Sequence, residues 1–484
     1  MDEKPPYPVL PEHIQNGEAA TPPPSYEEAM GQYQSSVCKN EQQLPPLAYI
    51  DILPKCLVPG AVENKIPPKF QSFSEVLKDA NAWLQYNPGI RVWKCETVER
   101  KVEKGPTIYL DSTLLHEPTY GFISYVIGLR LWLTKNKDSD CAVQQLGVYN
   151  VVPDKKEIPV SYRTGFMGGG VDMGGSFVMA PGTMGRAGLQ LQSIITYEGL
   201  AKTIERINKE FKVTPLPGSI LSIETRKHKI AEGFGSIDID PEVTSWSEKG
   251  ATTSKRYVHS LKIFYVQGKP ANQEIYMHEI KPEMIYPSEL SKPAKFENFQ
   301  EVLKKTQSWI KCQSGMQILN LDTRDAVVHE AFGNTQVDSD STDEFNSAMT
   351  DSKYLRFIRI FYCPNPNISY TSTLLTSHLF EPVRTGVKSF ETMSETMKRV
   401  EAWLNVTGLR IMNVETVHYL YNSNYHTGVD VDRSYIKIPQ TSAKYWLTTI
   451  RLYFPSVYQE PSPLSLPPVK DWKLNNGSSS CSIL

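Results

Sequence analysis

The chain lacks an excess of charge of either sign: 51 Lys and Arg against 53 Asp and Glu leave a formal charge of −2 over 484 residues. So weak a net field attracts neither a polynucleotide nor an anionic bilayer, and nucleic acid is not expected as a partner. No charge-free apolar run reaches about 18 residues, so no membrane-crossing helix is expected. The opening Met1-Asp2-Glu3-Lys4-Pro5-Pro6-Tyr7-Pro8 lacks the apolar stretch of a secretory leader. Cysteine is sparse: positions 38, 56, 95, 141, 312, 363 and 481, odd in number and without a C-x-x-C pair. That argues against a disulfide framework and a zinc site, and for reduced thiols in the cytosol. Signatures of catalysis are missing too. There is no G-x-x-x-x-G-K-[ST], no H-E-x-x-H and no G-x-S-x-G. No catalytic residue, cofactor or metal ligand is therefore expected, and the chain reads as a non-enzyme.

What is present is a repeat. Counting from Phe70, apolar residues fall at Phe73, Val76, Leu77, Ala80, Trp83 and Leu84. The stripe returns as Phe296, Phe299, Val302, Leu303, Trp309, Ile310, and as Phe390, Met393, Met397, Val400, Trp403, Leu404. A weaker copy is Tyr197, Leu200, Ile204, Ile207, Phe211. Spacings of three and four describe one face of an amphipathic helix. A glycine follows each stripe (Gly89, Gly218, Gly315, Gly408) and is expected to end the helix in a left-handed turn. Next comes a strand ending in acid-threonine: residues 92–97, 220–225, 318–323 and 411–416. Its alternation slips between Val92 and Cys95, which predicts a bulge or burial on both faces. A second strand closes each copy, at 129–133, 261–265, 358–362 and 450–454, with Tyr125, Tyr257, Tyr354 or Tyr445 just upstream. Segments 146–152 and 275–280 read as further strands.

The expected fold class is α+β: four units of strand, helix, strand, strand, each helix on one face of a mainly antiparallel sheet. The boundaries are 46–150, 151–270, 271–375 and 376–460, with a Gly/Met-rich insertion at 165–188 in the second unit. Residues 1–45 and 461–484, rich in Pro and polar residues, are expected to be disordered tails.

Each unit carries an acid in its first long strand and a base at a fixed place in its last. The pairs are Glu96 with Arg130, Glu224 with Lys262, Asp322 with Arg359, and Glu415 with Arg451. Four equivalent carboxylates suit cross-strand ion pairs better than four active sites. The glycines of 165–188 have no following lysine, so a linker or a soft Met surface (Met167, Met173, Met179, Met184) is preferred to a phosphate loop. Asp338-Ser339-Asp340-Ser341-Thr342-Asp343-Glu344 begins like a calcium loop but lacks the sixth-place glycine and the twelfth-place glutamate. It reads as a solvated acidic loop.

The tails carry two linear motifs. Pro23-Pro24-Ser25-Tyr26 has the P-P-x-Y spacing that fits the groove of a WW domain. The stretch Pro22–Glu28 resembles the cytosolic tails of trafficking adaptors that recruit WW-bearing HECT ubiquitin ligases; the resemblance covers about thirty residues and implies nothing for the folded part. Cys481-Ser482-Ile483-Leu484 is a C-a-a-X box whose leucine favours geranylgeranyl on Cys481. The same terminus, left unmodified, fits a PDZ groove. A single lipid gives only reversible anchoring. The expected function is a cytoplasmic adaptor or scaffold held peripherally on a membrane facing the cytosol, with Pro23, Pro24 and Tyr26 recruiting a WW-domain protein. The alternatives are a small-molecule-binding protein or enzyme with a cavity between units, and a PDZ-bound scaffold.

Overall fold

The computed structural model describes residues 47–60, 68–102, 108–135, 142–160, 192–230, 239–249, 254–289, 292–331, 334–346, 350–370, 374–386, 389–421, 429–439 and 443–469. The first repeat contains β1 (Ala48–Ile52), α1 (Phe73–Tyr86), β2 (Ile90–Val102), β3 (Leu114–Glu117) and β4 (Phe122–Lys135). The second contains β5 (Leu146–Val151), α2 (Leu200–Val213), β6 (Gly218–Ile230), β7 (Ser245–Lys249) and β8 (Lys255–Gln267). The third contains β9 (Tyr276–Ile280), α3 (Phe299–Lys311), β10 (Ser314–Ala331), β11 (Asp343–Asn346) and β12 (Ser352–Ser369). The fourth contains β13 (Thr376–Phe380), α4 (Met393–Thr407), β14 (Asn413–Tyr421), β15 (Tyr435–Ile438) and β16 (Lys444–Phe454).

Within a repeat the last long strand is central. It pairs antiparallel with the other long strand on one side and with the leading strand on the other, as β4 does with β2 and β1. The rest of that outer edge is filled by the next repeat: β7 pairs β4, β11 pairs β8 and β15 pairs β12. The series then returns on itself, because β3 of the first repeat pairs β16 of the fourth. The result is a closed, four-bladed, propeller-like ring.

The apolar cores follow the same cycle. The stripe of α1 is buried with its own sheet and with Leu146 and Phe264 of the second repeat. That of α2 meets Ile275, Leu319, Phe361 and Cys363 of the third, and α3 meets Leu375 and Tyr453 of the fourth. The stripe of α4 meets Leu47 and Trp132 of the first. The expectation of four units, each with its helix on its own sheet, is thus corrected. The strand, helix, strand, strand order is present, with a further short strand between the last two in each repeat, and every sheet and every core is completed by a neighbour. A four-turn helix on three strands leaves one sheet face bare, and in a ring that face is covered by the preceding blade.

Hydrogen bonds at the helix starts repeat the cyclic pattern. Ser72 and Thr392 form capping boxes with Glu75 and Glu395, and Asn298 accepts from the Glu301 N–H. Gly199 before α2 has no side chain to offer. A second cap reaches across blades. The main-chain oxygens of Glu242, Asp340, Asp432 and Asp111 accept from the first N–H groups of α1, α2, α3 and α4. Carboxylates of Glu242, Asp340 and Asp111 accept from the residue after. Two residues beyond each acid, Thr244, Thr342, Ser434 or Thr113 is buried and donates to a main-chain oxygen just ahead of the capped helix. Asp340 is the only side-chain cap of α2 among the described residues, so Asp340→Ala is expected to cost about 1 kcal/mol. Asp432→Ala, which leaves Asn298 capping α3, should cost less; urea unfolding of both variants checks the ranking.

Two local expectations need correction. The stripes begin one turn early, because Phe70 and Phe296 lie in the two-residue strands Lys69–Phe70 and Lys295–Phe296, and Tyr197 ends the strand Gln192–Tyr197. Of the four glycines only Gly408 caps its helix, at φ 64°. Helices α1 to α3 end at Asn87, Thr214 and Cys312. At α1 the amide of Asn87 donates to Trp83 O (2.8 Å), covering a terminal carbonyl without a left-handed residue.

Candidate functional site: the ring axis and its mouth

The expected slip in the first long strand is a bulge. Register skips Trp93 between Val92 and Lys94, Leu221 between Ile220 and Ser222, and Leu319 between Ile318 and Asn320. Met412 holds the same place ahead of β14. The bulge turns the next residue, Lys94, Ser222, Asn320 or Asn413, toward the ring axis, where all four are buried. There they close a circuit of hydrogen bonds. Ser222 Oγ donates to Cys95 O (2.8 Å), Asn320 Nδ2 to Ile223 O (2.8 Å) and Asn413 Nδ2 to Leu321 O (2.7 Å). Lys94 Nζ donates to Val414 O (2.6 Å), to Asn413 Oδ1 (3.1 Å) and to Asn320 Oδ1. Each blade is tied to the one before, and Lys94 ties the first to the last. Sequence reasoning passed over these four. Their signal was a polar residue at the third place of every copy, set among apolar neighbours.

Two residues on stand the four acids, and here the proposed ion pairs can be placed. In each blade acid and base lie directly opposite in register: Glu96 and Arg130, Glu224 and Lys262, Asp322 and Arg359, Glu415 and Arg451. Only two pairs come within 4 Å, Arg130 with Glu96 (3.8 Å) and Arg451 with Glu415 (3.9 Å). The shorter contacts lie elsewhere. Arg130 Nε reaches Asp51 at 2.6 Å, and Arg359 Nη2 reaches Glu279 at 2.6 Å, both on leading strands. The acids turn instead to the previous blade. Thr97 N donates to Glu224 (2.9 Å), Thr323 N to Glu415 (2.6 Å) and Thr416 N to Glu96 (3.4 Å). Arg130, Arg359 and Arg451 donate through Nη1 to Thr416, Thr225 and Thr323 Oγ1. The acid-threonine motif is therefore a latch between blades; the expected cross-strand pairs are within reach at Glu96–Arg130 and Glu415–Arg451 and are not formed at Glu224–Lys262 or Asp322–Arg359.

Asp322 departs from this pattern. One methylene shorter than glutamate, it accepts from Asn320 Nδ2 (2.6 Å) while its Oδ2 is buried without a partner. Burial, with Lys94 and Arg324 opposing it and Glu415 and Glu224 adding to it, pushes its pKa up to about 6. A carboxyl with a raised folded pKa binds more protons folded than unfolded, so stability falls as pH rises from about 4 to 6. Asp322→Asn is expected to gain up to roughly 2–3 kcal/mol at pH 7 relative to wild type. The gain should vanish by about pH 4; urea unfolding at the two pH values checks it.

Above this plane the ring opens into a cavity of about 660 Å³ lined by all four blades. The bulged Trp93, Leu221, Leu319 and Met412 form its apolar collar, and Lys94 and Asn413 lie at its floor. A second cavity of about 530 Å³ lies between the second and third blades, lined by Thr225, His259, Arg324, Arg359 and the acidic loop from Asp338 to Glu344. Ala326, at the place held by Arg100, His228 and Tyr419 in the other blades, is one of its lining residues. The acidic loop is a helix cap and a cavity wall. Among the described residues no group of three or more His, Cys, Asp or Glu is placed to hold a metal. No described helix is long and apolar enough to cross a membrane. Pro23, Pro24, Tyr26, Cys481 and the insertion at 165–188 lie outside the described residues. Comparison with protein-family models, with curated proteins and with solved structures finds no match to the chain.

Proposed function

We propose that the chain is a non-enzymatic adaptor in which the ring is a rigid platform and the two tails carry the recruiting signals. The observation that supports this is where the ring begins and ends. Leu47 is buried in the same cluster as the core of the fourth blade, and Tyr458 and Leu466 pack on that cluster too. Tyr458 Oη donates to Ser377 O (3.2 Å), and Thr376 Oγ1 to Ser456 O, fixing the departing chain. The described chain thus begins and ends at the junction of the first and fourth blades. A WW-domain protein held at Pro23, Pro24 and Tyr26, such as a HECT-type ubiquitin ligase, would sit beside a membrane gripped through geranylgeranyl on Cys481.

The test is localisation of the chain labelled at its N-terminus, with Cys481→Ser and a prenylation inhibitor, combined with WW-domain capture against Tyr26→Ala. Membrane signal lost in both treatments, and capture lost in Tyr26→Ala, is the expected result. Equal diffuse signal in wild type and Cys481→Ser would remove the anchor and favour PDZ capture of the free terminus. The second reading, a small-molecule-binding protein, draws on the cavity that Ala326 lines between blades two and three.

A further inference from the structure

The mouth of the axis has a composition that the adaptor reading does not use. Its wall takes residues from every blade, and among the described residues its charged members are Arg91, Lys94 and Lys269, with no Asp or Glu. Arg91 and Lys269 are exposed at the rim and have no carboxylate within 4 Å among the described residues. Lys94 at the floor is held by amide and main-chain oxygens and by no carboxylate within 4 Å. Against these cations stand a half-buried indole, Trp93, two leucines and a thioether, Met412. The amides of Gln144 and Gln317 and the hydroxyl of Ser219 complete the wall.

In a chain with nearly balanced charge, the described charged residues around this concavity are all cations; Lys94 also faces Glu96 and Asp322 on the axis below, so Arg91 and Lys269 carry the positive field of the mouth. The volume, about 660 Å³, lies in the range of small-molecule sites. A cationic rim over an apolar collar matches a ligand with an anionic head and a short apolar body. The bulge supports the assignment. The extra residue sets Trp93, Leu221 and Leu319 outside the alternation of their strands, where each packs against the core of the preceding blade and also lines the mouth, while Lys94 stays on the axis.

We propose that the axial mouth binds a small amphipathic anion, a carboxylate or phosphate on an apolar body, with Arg91 and Lys269 at its head and Trp93 and Met412 at its body. Calorimetric titration of the full chain with n-octyl phosphate tests this, against inorganic phosphate (head alone) and n-octyl glucoside (body alone). One saturable site is expected for octyl phosphate, with both controls weaker by roughly tenfold or more. The variant Arg91→Glu/Lys269→Glu changes only exposed side chains, so it should fold as wild type does; it is expected to lose octyl phosphate by a similar factor. Flotation with phosphatidylcholine vesicles, with and without phosphatidylserine, distinguishes the source of the head. Binding to the anionic vesicles that the double variant abolishes would assign it to a lipid, and octyl phosphate binding without flotation to a free molecule. Absence of a saturable site for octyl phosphate, equal affinity for the glucoside, or unchanged binding in the double variant would overturn the proposal.

Discussion

Arg130→Met is expected to destabilise the ring by about 3–5 kcal/mol, the cost of breaking one side of a buried charge cluster. The side chain is fully buried. Its guanidinium reaches Asp51 Oδ1 at 2.6 Å and Oδ2 at 2.7 Å, and Thr416 Oγ1 of the fourth blade at 2.9 Å. It lies 4.3 Å from the centre of the Tyr49 ring. Removal strands the Asp51 carboxylate with Arg100 alone (2.8 Å) and takes away one of the bonds that close the ring. The loss should appear as a lower urea midpoint and as faster amide exchange where β3 pairs β16. A variant as stable as wild type would mean that closure does not depend on this cluster.

The equivalent change in the second blade, Lys262→Met, is expected to act in the opposite direction. Lys262 is 2% exposed, and its leading-strand neighbour is Asn150 where Arg130 has Asp51. It has no carboxylate within 4 Å among the described residues, and its ammonium rests 3.2 Å from the centre of the Phe73 ring. Burial pulls its pKa down to about 7, only partly offset by Glu224. With the folded pKa below the unfolded one, the unfolded chain binds more protons between about pH 7 and 10, so wild-type stability should rise with pH across that window. Below pH 7 the full penalty of the buried charge is present, at most roughly 4–5 kcal/mol. Methionine keeps the volume and removes the charge, so the variant should be more stable at pH 7 and should lose the rise toward pH 10. Urea unfolding at pH 7 and pH 9 measures both. A destabilised variant at pH 7 would show that the contact with Phe73 outweighs the desolvation of the ammonium.

The same sequence position is thus expected to carry opposite energetic signs in two blades, and this marks the limit of what could be read in advance. The elements were legible because their signals are local: three- and four-residue spacing for the helices, alternation for β4, β8, β12 and β16, and a slip for the bulge. The bases at 130, 262, 359 and 451 were legible as a repeated feature, but their partners were not. Partner choice depends on leading strands 80 residues or so away and on the neighbouring blade, as Arg359 with Glu279 and Thr225 shows. The exchange of strands was hidden for the same reason. Strands β3, β7, β11 and β15 are four or five residues long and carry no strong pattern. One cue was in the text unread: an acid two residues before Thr or Ser, at Asp111, Glu242, Asp340 and Asp432, each 19 or 20 residues ahead of the repeated base. Had it been aligned, it would have pointed to a fifth shared element. That the element serves the preceding helix in the cycle, not its own, follows only from three-dimensional closure.

Closure is the claim on which the platform, the shared junction of the described chain's two ends and the axial mouth all rest. It is tested most directly by a covalent link between the two ends of the cycle. His116 on β3 and Tyr445 on β16 are partners in register, with rings stacked 4.7 Å apart. Thr448 N donates to Thr113 O, which makes 116 and 445 a pair between hydrogen bonds, where cross-strand Cα atoms come closest, about 4.5 Å. That separation suits a disulfide. The His116→Cys/Tyr445→Cys variant, oxidised at low concentration and digested, is predicted to yield a disulfide-linked peptide joining 116 to 445 within one monomeric chain. Absence of that peptide, or its appearance only in disulfide-linked dimers, would contradict the closed ring.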